Sequence, residues 1–477
     1  MKILKLFLTL LLVLSMLAGT AALAARLDLN PTQAEEPAPA EEPAPAEEPA
    51  PAEEPAPAEE PAPAEEPAPA AALDPETQQA LDEGKAWFFG LTDEGFSKEA
   101  AQEALQRAAD AGSGEAWYFL GRLWEKSCAI GRFSEAMACY DRAIELGCTK
   151  GYFGKGELYR QAFGVDKDPD TARDLYQQAI DLGCVGANVG IGNMYRSGDG
   201  VEQDGAMAIE YYTAALDCGD YELVNQARFG IARVYDLGLP GVEQDYAQAM
   251  EWYMLGADDG FGKSINNIGV MYDMGWGVEA NEETAVTWFE RASFHGDGMA
   301  VWNLAWDYLD ESIMEPDEAT AVEMFEHAAS LGCEDAILTM GDAYFYGRYG
   351  VEENYAMARD WYAVAAEADS ADAMYGIGKI YYYGSDSIPQ DRPQAADWFR
   401  WASNRGCAEA MDYLGYLYQH GQGVEKDYAA ALDWYVLALR NVGDDESTAE
   451  IVREELGELV DEGFTTWDEI DALVAAP

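Results

Sequence analysis

The sequence predicts an all-α protein, an α-solenoid of about ten helix-loop-helix repeats preceded by a disordered Pro/Glu-rich spacer. Three observations predict it. An A-x₄-G-x₂-Y pattern recurs at spacings of 35 to 40 residues from Gln79 onward. A second phrase, A-x-x-[WYLM]-[YF]-x-x-A, closes each unit, and its apolar spacing is that of a helix with one buried face. Six copies of "AEEPAP" before the array hold nothing that could form a core.

The elements follow in chain order. Residues 1–24 read as a signal peptide: Lys2 and Lys5 precede an apolar run from Leu6 to Leu17, and Ala22-Leu23-Ala24 offers an A-x-A cleavage pattern. No cysteine follows that run, so no lipid anchor is expected. Residues 25–78 are the linker. A proline every second or third residue forbids a helix there, and paired glutamates repel. An extended polyproline rod of this kind rises about 3.1 Å per residue, so the AEEPAP copies reach on the order of 110 Å.

The array occupies residues 79–446. Its units start at Gln79, Ala116, Gly151, Ala187, Ala227, Ser264, Ala300, Ala336, Ala373 and Ala410. Five residues after each start stands Gly or Ala, small enough to let a neighbour approach closely. Eight residues after each start stands an aromatic, from Trp87 to Tyr418. Gly112, Gly147, Gly183, Gly219, Gly260, Gly296, Gly332 and Gly406 suit left-handed caps at the ends of second helices. The second helices begin after Ser97, Arg132, Asp168, Asp204, Asp245, Asn281, Asp317, Asn354, Asp391 and Asp427. All but the arginine are good N-cap residues, each contributing about 1 kcal/mol. Pro169 takes the first helical position, which suits proline. Residues 447–477 do not repeat and read as a helical cap over the last apolar face.

The phrases "GDGVEQDGAMAIEYY" (198–212), "GVEQDYAQAMEWY" (241–253), "GVEENYAMARDWY" (350–362) and "GVEKDYAAALDWY" (423–435) resemble Sel-one-like repeats (SLR), relatives of tetratricopeptide repeats. The resemblance covers about residues 79–446. The first unit lacks the Gly-Val loop, and residues 125–135 and 310–318 replace it with irregular sequence. The resemblance implies a right-handed superhelix whose first helices line a concave face. It also implies an adaptor that holds other proteins, of a kind often exported by bacteria.

Composition bounds the partners. The chain has 29 Lys+Arg against 89 Asp+Glu. Phosphate backbones and anionic membrane surfaces would be repelled, so nucleic acid is excluded as a partner class and a basic protein or peptide is favoured. No apolar segment after the first approaches the roughly 20 residues of a membrane span. A monomer, secreted or held at the surface of a bacterial cell envelope, is expected.

No catalytic, cofactor or metal constellation is identified. G-x-S-x-G and S-x-x-K are absent, and His295, His327 and His420 form no H-E-x-x-H and share no repeat. Among the repeat phrases, His420 varies where the Gly-Val and the capping residue stay. Asp166, Asp168 and Asp170 alternate as a calcium loop begins, yet Pro169 interrupts them and the closing glutamate is missing. Cysteine-rich relatives staple each hairpin with cysteines eight residues or so apart, a spacing that does not recur here. Cys148 and Cys184 sit at equivalent places in packed neighbours, about 10 Å apart where a disulfide needs about 7 Å, so only Cys128 and Cys139 are left as a pairing to consider. The other cysteines read as small apolar fillers.

The contact residues expected for a partner are aromatics at variable positions of first helices: Trp302, Trp306, Tyr346, Tyr375, Tyr382, Tyr383 and Tyr416. The reading is a non-enzymatic scaffold binding a protein or peptide on a concave acidic face. Two other classes remain open: a cell-envelope enzyme acting on peptidoglycan or β-lactams, supported by family analogy alone, and an acidic cation-binding protein.

Overall fold

The computed structural model describes residues 73–126, 133–310, 316–443 and 445–475. The signal peptide, the AEEPAP copies, Arg132, Cys128 and most of the two irregular loops lie outside the described residues. Among the described residues there are helices, one short 3₁₀ turn at Val185–Ala187 and no strand. No described helix is long and apolar enough to cross a membrane. The first helix, Pro75–Phe88, begins four residues ahead of the first repeat start. Asp74 caps it and Pro75 fills its first position, the same pairing as Asp168 and Pro169.

One unit shows how the sequence builds all of them. The first helix, Ala408–His420, ends at Gly421 in the left-handed region (φ 64°). Gly423 (φ 80°) turns the loop, and Asp427 caps the second helix, Tyr428–Asn441. The Asp427 carboxylate accepts from the Ala429 and Ala430 amides at 2.9 and 3.1 Å. Its own amide donates back to the Tyr418 carbonyl at 2.9 Å. That return bond recurs: Asp168 to Tyr159, Asp204 to Tyr195, Asn281 to Tyr272, Asp391 to Tyr381. The recurring spacing of aromatic and cap is therefore a closed loop, with both backbone and side chain of the cap residue bonded.

The small residue five after each start makes room for a ring. A Cβ on Gly415 would stand 2.5 Å from Tyr435, and one on Gly156 would stand 2.4 Å from Tyr176. The neighbour that approaches is thus an aromatic of the second helix in the same unit. The loop glycine serves the stacking of units. A Cβ on Gly423 would meet the backbone of Arg392 and Pro393, and one on Gly200 would meet Pro169, each at the start of the preceding unit's second helix. Tyr140, Tyr176, Tyr212, Tyr253, Tyr362 and Tyr435 are buried in this way, each large apolar surface contributing roughly 1.5–3 kcal/mol.

All eight glycines named as second-helix terminators have positive φ, from 70° at Gly219 to 97° at Gly112. Asp369 (φ 68°) takes that place in the unit that lacks the glycine, and aspartate tolerates the conformation better than most. The end of the array is covered by two helices, Glu446–Asp461 and Trp467–Ala475. Val452, Leu456, Leu459 and Ile470 pack there on Met411, Ala431, Tyr435 and Ala438.

Candidate functional site

The variable positions of the first helices carry two different surfaces. In the N-terminal units they carry paired charges. The helix Gly114–Lys126 presents Tyr118 and Arg122, which reach Glu222 about a hundred residues later: the Tyr118 hydroxyl donates at 3.0 Å and Arg122 pairs at 2.7 Å. Lys150 bridges Glu115 at 2.7 Å and Asp220 at 2.5 Å. Arg160 pairs with Glu157 at 2.8 Å and Asp199 at 3.1 Å. The superhelix also returns on itself here. The Phe96 amide donates to the Phe294 carbonyl at 3.0 Å, His295 Nδ1 lies 3.4 Å from the Phe89 carbonyl, and the Phe89 ring meets Tyr221.

The titration of these groups follows the pairing. Burial alone would raise the carboxyls of Glu115, Glu157, Asp199 and Asp220, but their lysine and arginine partners hold all four below the usual range. Glu125 is the exception. Burial outweighs Arg122 and the Tyr140 hydroxyl, and pushes it up to about 7.

From residue 261 onward the balance changes. Residues 79–260 hold 15 basic and 31 acidic residues; residues 261–477 hold 11 and 43. Beyond residue 260, Arg359, Arg400 and Arg405 pair with Asp360, Asp397 and Asp369. Burial, then Asp273, Asp310 and Glu282, push the Asp307 carboxyl up to about 7. Burial, then Glu455 and Glu409, do the same to Asp412. One carboxylate oxygen of each is buried without a hydrogen bond.

The seven aromatics expected to meet a partner divide into two groups. Trp302 and Trp306 touch each other; Trp302 Nε1 donates to Thr339 Oγ1 at 3.1 Å, and Trp306 is wedged against Phe325 and Tyr349. Tyr375, Tyr382, Tyr383 and Tyr416 share one wall, continued through Phe345 to Tyr346. Tyr346 and Tyr383 are the exposed members, at 46% and 49%; the other five are half-buried.

The wall contains residues the sequence reading did not single out. Tyr413 shares a hydroxyl contact of 2.9 Å with Tyr383 and packs edge-on to Tyr382. Its signal was present: three residues after the repeat start, Gly154, Gly190, Gly230 and Gly376 stand where Tyr413 does. The Lys379 ammonium lies 4.5 Å from the Tyr375 ring, 5.2 Å from Phe345 and 5.4 Å from Tyr346. The wall already holds a cation against its faces. Asp220 and Glu222 were missed too. Their signal was the 40-residue spacing between Ala187 and Ala227, which the structure spends on a longer helix, Tyr221–Leu237.

The cap residues all accept at helix starts: Asp168, Asp204, Asp245, Asn281, Asp317, Asn354, Asp391 and Asp427 each take at least one backbone amide. Asp170, in the alternating acids, pairs with Arg173. Cys139, Cys148, Cys184, Cys218, Cys333 and Cys407 are free thiols, while Cys128 lies outside the described residues. Burial raises the thiol pKa of Cys139 and Cys148 to about 11, which suits apolar fillers better than nucleophiles.

Comparison with protein families matches the Sel1 repeat over residues 152–184, 186–220, 225–261, 262–297, 298–333, 335–370, 371–407 and 408–441. Among solved structures, a protective antigen of uropathogenic Escherichia coli with an SLR fold is 24% identical, covers 84% of this chain and 91% of its own, with a TM-score of 0.34. A Sel1 repeat protein from Oxalobacter formigenes is 26% identical, covering 53% of this chain and 96% of its own, with a TM-score of 0.41. An immunity protein from Pseudomonas aeruginosa is 21% identical, covering 46% of this chain and 82% of its own, with a TM-score of 0.35. No curated protein matches.

Proposed function

The chain belongs to the Sel1 repeat family, whose members generally mediate protein-protein interaction, and from that premise we propose that it is an exported scaffold that grips a basic protein or peptide segment along the aromatic wall of its C-terminal units. Residues 1–24 direct it out of the cell, and residues 25–78 hold the array away from the surface. The wall at Tyr346, Tyr375, Tyr382, Tyr383, Tyr413 and Tyr416 supplies flat faces for cationic side chains. Asp412 and Asp372 beside it supply charge that no nearby base fully offsets: their carboxyls are raised by burial and by neighbouring acids.

The observation that carries this reading is Lys379. A lysine of the chain itself already sits among three rings, so the chemistry that would hold a partner's lysine or arginine is realised within the fold. Each cation–π contact contributes about 0.5–2 kcal/mol. The array beyond the signal peptide, titrated with a Lys/Arg-rich peptide at physiological salt, binds it, and Tyr382→Ala together with Tyr416→Ala weakens binding about tenfold. Equal binding by a charge-matched acidic protein without the wall would leave only diffuse attraction and overturn the reading. Export is tested by following a tagged full-length chain in bacterial culture; an unprocessed chain retained inside the cell would refute it.

A further inference from the structure

We propose that His420, Glu455 and Glu458 form a binding site for one divalent transition-metal ion of the zinc class, which joins the last repeat to the terminal cap. None of its three ligands belongs to the partner reading, although Tyr416 of the aromatic wall also braces His420.

The geometry comes from two elements. His420 is the last residue of the helix Ala408–His420, and Glu455 and Glu458 lie one turn apart on the helix Glu446–Asp461. One ligand atom from each of the three lies within 4.8 Å of the others. In a tetrahedral site with bonds of about 2.0–2.2 Å the ligand atoms stand about 3.3 Å apart, so modest side-chain rotations close the triad. One imidazole with two carboxylates is a donor set that suits zinc and its neighbours. It is a poor match for calcium, which takes six or more oxygens.

The supporting shell is in place. Gln419 Nε2 donates to Glu458 at 3.0 Å, and Gln419 is itself buried and accepts from the Tyr435 hydroxyl at 2.9 Å. The same Tyr435 hydroxyl lies 3.5 Å from Glu455. The His420 ring is held against Tyr416, 4.2 Å between centroids. Such outer partners orient metal ligands and fix their side chains. The triad therefore does more than scatter charge over an acidic surface: it sets the chain's scarce imidazole, one of 3 in 477 residues, against two carboxylates of the cap.

The test uses the whole array beyond the signal peptide, apo and reduced, at physiological salt. Cobalt(II) is the spectroscopic probe and zinc the competitor. The expected result is one equivalent of cobalt with weak visible d–d bands, displaced by zinc and not by equal calcium or magnesium. No intense near-ultraviolet thiolate band accompanies them, which separates the site from the free cysteines. His420→Ala and Glu458→Gln, both at exposed positions, each weaken binding at least about tenfold with an unchanged helical spectrum, as expected for loss of a ligand. Unchanged affinity in both variants, displacement by calcium, or no saturable equivalent would overturn the site. A thiolate band at first equivalence would place the metal on cysteine instead, and would equally overturn it.

Discussion

Residues 79–260 and residues 261–477 are built on one frame and differ in what the variable positions of their first helices carry. In the first region the superhelix returns on itself, and the residues at these positions are used up on each other. Lys150 is held between Glu115 and Asp220, and Arg122 between Glu125 and Glu222. In the second region bases are fewer, acids crowd one another, and rings take the corresponding places. The same repeat can therefore be a self-satisfied strut or an open surface. The choice is made at a few variable positions, not by the phrase that defines the repeat.

The difference can be broken most sharply at Lys150. Lys150→Met leaves Asp220 without its lysine and Glu115 with Lys85 alone, and breaking this half-buried network costs up to about 3 kcal/mol, the low end for a fully buried pair. Denaturant unfolding should show that loss, with exchange protection falling first in residues 114–237. A comparable loss on Arg405→Met, whose pair with Asp369 is more open to solvent, would mean the two regions are not distinct in this way.

The shared frame predicts equality where the variable positions predict contrast. Gly156→Ala and Gly415→Ala each drive a methyl into a buried tyrosine ring, at 2.4 and 2.5 Å. Overpacking of this kind costs about 1–3 kcal/mol. The two variants should lose stability to within a few tenths of a kcal/mol of each other by thermal unfolding; tolerance of one and not the other would show that the frame itself differs.

Smaller again is the cap. Asp168→Ala and Asp427→Ala should each cost about 1 kcal/mol, because each removes an acceptor of helix-start amides. Serine at either site should restore most of the loss. No effect of either alanine on unfolding would remove the caps from the account of stability.

The pH dependence is the most diagnostic effect, since its sign differs between the paired N-terminal carboxyls and the crowded C-terminal ones. Glu115, Glu157, Asp199 and Asp220 sit below the usual range. Their contribution is present above the ordinary carboxylate value of about 4 and is lost as pH falls through their lowered values. Asp307 and Asp412 are pushed up to about 7. Their folded forms take up protons first, so acidification from pH 8 to pH 5 stabilises the C-terminal units around Asp307 and Asp412, while in the N-terminal units Glu125, also pushed up to about 7, gives a single gain of the same sign. Hydrogen exchange, corrected for intrinsic rate, reads both regions in one sample. Faster C-terminal exchange at pH 5 would contradict the assignment. A basic peptide competes with those same protons, so its affinity should fall over the same range.

Much of this molecule was written locally. A glycine that admits a tyrosine ring, an aspartate that caps a helix and bonds back to an aromatic's carbonyl, and a glycine at positive φ each act within one unit or against its neighbour. Such short-range constraints repeat with the chain, and the repeat phrase displays them in order. The sequence by itself therefore determined the helix pairs, their caps, their stacking and the strongly acidic balance. Only the tertiary structure decided which variable residues meet. Arg122 finds Glu222 because the superhelix turns back after about a hundred residues. Tyr375 and Tyr416 join one wall while Trp302 and Trp306 are spent on packing. His420, a stray variation within its own repeat, gains meaning from two glutamates of a cap helix that no period could place. Periodicity fixes how neighbouring units touch, whereas the curvature of the whole array fixes what faces across its axis, and that curvature sums many small angles no single unit records.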